Sequence, residues 1–189
     1  MGTMRRVLAA AIFVVLLAGC GNKAPEAPPR RAPSATTTPT ASSATSSAAV
    51  TVPVMPEVAR SHTEAGAKAF VVYYWHVVDY VQQTLNTAPI EVISATTCAG
   101  CQAGIEAMRK LARRHSHLTG GAETVSSLRS EAVIPNHSVL VAFNLTNEPQ
   151  RVDTPGKKTV LHPGGTTNKL MSLLPREDGW IAGELRSQP

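Results

Sequence analysis

The sequence predicts an α+β domain, with N-terminal helices packed on one face of a curved antiparallel sheet. Two changes of period carry that prediction. Between Pro56 and His115 apolar residues recur at helical spacing, and from Thr124 onward short β-branched and apolar runs alternate with turn residues. Residues 54–189 are also enough chain for one compact domain with one sizeable core. No internal repeat or second boundary divides them.

The first element is a long helix. In "PEVARSHTEAGAKAFVVYYWHVVDYVQQTLNT" Phe70, Tyr74, Val77, Val81 and Leu85 follow at spacings of four, three, four and four, and Tyr73 and Tyr80 widen the stripe. The segment opens after Pro56, with Glu57 and Glu64 near the positive N-terminal end of the helix dipole. Pro89, in "LNTAP", prevents simple continuation. "IEVISAT" is too short for periodicity to separate helix from strand. "CQAGIEAMRKLARRH" reads as a second helix with Ile105, Met108, Leu111 and Ala112 on one face, ended by Thr119-Gly120-Gly121. Then come "TVSSLRSEAVIP", "HSVLVAFNLTN", "RVDTPGKKTVLHPG", "NKLMSLLPRED" and "GWIAGELRSQ", which predict four or so antiparallel strands. In the second of these Val139, Val141 and Phe143 face one way, and Leu140, Ala142 and Asn144 the other.

The residues before the domain have other roles. Arg5 and Arg6 precede an uncharged apolar run, Val7 to Ala18, that is shorter than the roughly 20 residues a membrane span needs. Residues 1–19 therefore read as a signal peptide. Leu17-Ala18-Gly19-Cys20 resembles a bacterial lipobox, which makes Cys20 the lipidated first residue of the mature chain and places the protein on the extracytoplasmic side of the cell membrane. Residues 20–53 are rich in Pro, Ser, Thr and Ala and poor in large apolar side chains, the composition of a disordered tether. The formal net charge of +5 falls to +3 (5 − 2) without Arg5 and Arg6, too mild to point to nucleic acid. The most basic stretch, Met108 to His117, reads as a solvated helix face.

The helix block "HTEAGAKAFVVYYWHVVDY", the C-x-x-C about twenty residues beyond its aromatic cluster, the helix that follows and the tail "DGWIAGEL" together resemble an uncharacterised family of actinobacterial lipoproteins. That family is related in shape to the nuclear transport factor 2-like cone folds, and the likeness spans Pro53 to about Arg186. It implies a cone-like domain. It implies no activity, since such cones host enzymes, binding modules and assembly domains alike.

Cys98 and Cys101 are an even pair in an oxidising compartment, so a disulfide between them is the default expectation. A thiol-disulfide oxidoreductase is the alternative, with Cys98 attacking from a helix N-terminus and Cys101 resolving. Zinc would need ligands that only scattered histidines could add, so no metal or other cofactor is expected. The cluster Tyr73, Tyr74, His76, Asp79 and Tyr80 holds the residue types of an acid-base or ligand-binding site, without a nucleophile, base and orienting group in recognisable array. His115 and His117 read as solvent-exposed. The reading that follows is a lipid-anchored, non-catalytic accessory domain binding a small apolar ligand or an envelope protein, with Tyr73, Tyr74, Asp79 and Tyr80 as its candidate contacts. The alternatives are the oxidoreductase and a small acid-base enzyme near Tyr74 and Asp79.

Overall fold

The computed structural model describes residues 50–134 and 138–189. The predicted signal peptide, Cys20 and nearly all of the tether lie outside the described residues. Within them the order is a 3-10 turn (Glu57–Arg60), helices α1 (Glu64–Thr84), α2 (Ala88–Val92) and α3 (Ala99–Arg113), then seven strands. These are β1 (His117–Gly120), β2 (Glu123–Ile134), β3 (Ser138–Asn147), β4 (Gln150–Asp153), β5 (Val160–His162), β6 (Gly165–Arg176) and β7 (Gly179–Ser187). Mixed helices and antiparallel sheets make this the expected α+β architecture. No described helix is long and apolar enough to cross a membrane.

The first helix starts later than the opening after Pro56 suggested. The chain breaks at Ser61–Thr63, and α1 starts where the Thr63 hydroxyl accepts the Gly66 N–H at 3.1 Å, satisfying a donor the helix itself cannot pair. At the other end Leu85, predicted to close the stripe, instead caps the helix in a left-handed conformation at φ 56°. Pro89 then serves in the first turn of α2, where its missing N–H is harmless. The ambiguous "IEVISAT" resolves into the end of α2 and an extended segment docked on β7. Ala95 N–H donates to Ala182 O at 2.8 Å and Ala182 N–H to Ile93 O at 2.9 Å.

The second predicted helix also ends early. α3 stops at Arg113, His115 turns left-handed at φ 52°, and Thr119 and Gly120 belong to β1. The glycine pair links β1 to β2 rather than capping a helix. Seven strands appear where about four were expected, because "RVDTPGKKTVLH" folds into two short strands that join β1 in a separate sheet of order β1-β4-β5, with β4 in the middle.

The larger sheet has the order β2-β3-β6-β7, all neighbours antiparallel. Register shifts at Ser126/Arg129 and Ser130/Ala132 break the β2 ladder, and Ser127 takes φ 54° there. Bulges of this kind bend a strand and increase its twist. One face presents Val139, Val141, Phe143 and Leu145 from β3, Met171 and Leu173 from β6, and Trp180 and Ala182 from β7 to α1. Against them α1 buries Phe70, Val71, Tyr74 and Val77. Each large apolar side chain so removed from water contributes roughly 1.5–3 kcal/mol. Ala142 and Leu170, partners in register, are buried too, although the strand pattern put Ala142 on the opposite face.

Candidate functional site

Residues Tyr74, Trp75, Val78, Val81 and Gln82 stand at i, i+1, i+4, i+7 and i+8 of α1 and so share one face of that helix. That face looks toward α3, whose position is set by its first turn. Cys98 and Cys101 form a disulfide, and Cys98 Sγ also accepts the Cys101 N–H at 3.2 Å as the helix cap. Both cysteines are buried, at 0% and 2% exposure. An Arg109–Glu91 ion pair at 2.8 Å ties α3 to α2.

Two glycines one turn apart decide what lies between the helices. A Cβ on Gly100 would sit 2.1 Å from Leu185 O, so only glycine lets α3 approach β7 this closely. A Cβ on Gly104 would meet nothing within 4 Å. The helix is thus pinned at its start and leaves a hollow one turn later. The result is a cavity of about 210 Å³ whose walls include Val78, Ile105, Met108 and Leu185.

The wall is mostly apolar, yet two of its residues each carry a buried polar atom that nothing satisfies. The Trp75 indole is 7% exposed and stands edge-on to both Tyr74 and Phe143, while its Nε1–H has no hydrogen-bond partner. Glu123, at the start of β2, also borders the cavity, and its buried Oε2 is without a partner. Its other oxygen, Oε1, accepts from Asn147 Nδ2 at 2.6 Å and from Gln82 Nε2 at 3.3 Å. An unpaired buried polar atom costs about 1–3 kcal/mol, so each of the two is expensive for stability. A second, polar cleft of about 350 Å³, bordered by Gln82, Asn147, Gln150 and His162, meets the first at Glu123.

Burial, reinforced by the charge of Asp79, pushes the Glu123 carboxyl up to about 7. Asp79 Oδ1 accepts the Glu123 backbone N–H at 3.0 Å. Burial raises Asp79 as well, and that hydrogen bond opposes the rise. Tyr74 is raised by burial, and its hydroxyl meets Ser94 Oγ at 3.3 Å.

Of the residues singled out in the sequence, Tyr74 reaches the cavity and Asp79 positions Glu123 behind it. Tyr73 lies in a different groove with Met55, Arg60 and Trp180. Tyr80 is buried, with its hydroxyl accepting from Asn86 Nδ2 at 3.2 Å. His76, His115 and His117 are exposed. Trp75, Gly104 and Glu123 were missed. A glycine pair at i, i+4 within a helical pattern was the available signal for Gly104, whereas nothing local marks Glu123. Among the described residues no three His, Cys, Asp or Glu side chains come close enough to share a metal ion.

Helices over an antiparallel sheet, with an apolar hollow between α1 and α3, define the class as an α+β domain with a partly open cavity. The chain belongs to the family of unknown function DUF6318, which it matches over residues 38–183. No curated protein matches it. Among solved structures it is similar to the intermembrane space region of the chloroplast protein ARC6, at 12% identity and a TM-score of 0.47, covering 67% of this chain and 98% of that one. It is also similar to Aln2 from a Streptomyces species, at 10% identity and a TM-score of 0.45, covering 67% and 92%.

Proposed function

We propose that the chain is a lipid-anchored cell-envelope protein, tied to the membrane through Cys20 and a tether. Its cone-like domain, of the nuclear transport factor 2-like kind, binds a small, mostly apolar ligand without transforming it. The observation that carries this reading is the mostly apolar cavity left beside Gly104, with Tyr74, Trp75 and Glu123 among its wall residues. Pockets that bind small molecules combine such apolar walls with a few polar groups that fix orientation. Size narrows the ligand. An apolar cavity of about 150 Å³ accepts benzene, so one of about 210 Å³ suits a single ring with a small substituent. The lipobox-like Leu17 to Cys20 and the tether composition support the anchored placement, and the bulged β2 supports a curved cone.

Burial of Cys98 and Cys101 favours a local staple at the entry to α3 over a thiol exchanging with partners, which needs access. A second reading, acid-base catalysis, is favoured by a single feature: the Glu123 carboxyl, at about 7, titrates where a general acid or base works best. The two readings are separated by the fate of a bound probe. Titrating toluene and indole into the chain should raise its melting temperature, return the probe unchanged, and lose that effect in Gly104→Leu, which fills the cavity. Absence of any shift in the parent chain would sink the binding reading, and chemical conversion of indole would favour the enzyme.

A further inference from the structure

We infer that the polar cleft binds a neutral sugar unit, at a site separate from the apolar hollow. Its floor is a row of residues from β2, β3 and β6. Glu123 pairs in register with Asn147, and Asn147 with Gly165, so the three stand side by side on one face of the larger sheet, and all three border the cleft. Val125 and Leu145, two residues along β2 and β3 and packed in the core, stand on the same face by alternation. The row therefore continues the helix-covered face of the sheet past the end of the core. At Gly165 it lacks a side chain, and a Cβ there would meet nothing within 4 Å. Glycine in a strand often marks a place where a ligand comes close to the backbone.

The polar groups around this row are held in place before any ligand arrives. Asn147 Nδ2 and Gln82 Nε2 both donate to Glu123 Oε1, and Gln150 Nε2 donates to Gln82 Oε1. Amides fixed in this way lose little freedom on binding. Amide groups and the hydroxyl of Thr167, also on the border, can donate and accept, as sugar hydroxyls do. A cleft of about 350 Å³ lies at the small end of ligand sites, roughly 300–1,000 Å³, and suits a mono- or disaccharide. Charged ligands fit less well. Among the described residues no lysine or arginine borders the cleft, so an anion finds no counter-charge. An ammonium finds Glu123, but Oε1 already accepts from two amides and Oε2 is buried. Glu148, the other carboxylate on the border, is exposed to water, where an ion pair is worth little.

The test titrates glucose, galactose and mannose, each beside its 2-amino and uronic-acid counterparts, into the full ¹⁵N-labelled chain. At least one neutral sugar is expected to bind about tenfold more tightly than its two charged counterparts and to move the side-chain amide signals of Asn147 and Gln150. Gly165→Val places a branched side chain in the open space of the floor, at a strand position that tolerates it. It should abolish sugar binding and leave the effect of toluene on the melting temperature as it is in the parent chain. If that variant does not fold, Thr167→Val, which removes one hydroxyl and keeps the shape, takes its place, with a several-fold loss of affinity expected. Binding by none of the neutral sugars, an amino sugar or uronic acid binding best, or full sugar affinity in the folded variant would overturn the assignment. Each of these outcomes is read whether or not toluene binds, so failure here and failure of the hollow as a site are told apart.

Discussion

The two flanks of α1 meet the rest of the domain in opposite ways. On one, Phe70, Val71 and Val77 are fully buried in a core shared with Val141, Met171 and Leu173. On the other, Trp75 and Val78 border a hollow because α3 offers Gly104 where a side chain would close it. The side chains of the packed flank carry no polar atom to satisfy. On the open flank the Trp75 Nε1–H has no partner. Proteins depart from consistent packing and pairing chiefly where another requirement intervenes, which is the ground for proposing the hollow as a binding site.

Truncation should separate the flanks most clearly. Phe70→Ala is expected to cost about 3–5 kcal/mol in urea denaturation, while Met108→Ala, half-buried at the hollow, costs less than half as much. Equal losses would mean that both flanks are packed alike.

The next effect is pH-dependent. The native state holds the Glu123 proton up to about pH 7, whereas the unfolded chain releases it near its ordinary 4.5. The stability associated with this group is therefore fully present below about pH 4.5, falls between there and about pH 7, and is absent above. Glu123→Gln should remove most of that dependence and stabilise the protein by roughly 2–3 kcal/mol at pH 8. A variant no more stable than the parent at pH 8 would show that the carboxyl is well solvated.

Two substitutions on one helix sharpen the contrast further. Gly100→Ala should destabilise by about 1–3 kcal/mol, since its Cβ collides with backbone at Leu185. Gly104→Ala should stabilise by about 1 kcal/mol, the helix-propensity gain of alanine with open space to receive it. Thermal melts of both, side by side, test whether α3 is pinned at one turn and free at the next.

What the sequence could show follows from how local each feature is. The stripe of α1, the strands of the larger sheet and the cysteine pair are written in neighbouring residues, and all three appear. The break at Ser61–Thr63 was missed because Pro56 and Glu57 offered an earlier start while the Thr63 cap depends on one side chain. β1, β4 and β5 are short and largely exposed, and what makes them strands is pairing across distant chain, which no local pattern records. The cavity escaped for a similar reason. Glu123 looks like an ordinary polar residue at a strand start, and only Asp79, 44 residues earlier, brings a second carboxylate to it.

The start of the domain is fastened in an unusual place. The Trp180 Nε1–H donates to Ser61 O at 3.0 Å. His62 Nε2 lies 2.9 Å from Arg176 O and 2.8 Å from Gly179 O, and since both are acceptors it is the protonated ring nitrogen that spans them. These bonds clasp the residues before α1 to the hairpin of β6 and β7. A force drawn along the N-terminal chain is therefore delivered to the sheet's edge hairpin before it reaches α1, and the first thing to yield under tension is this clasp, not the helix that walls the cavity.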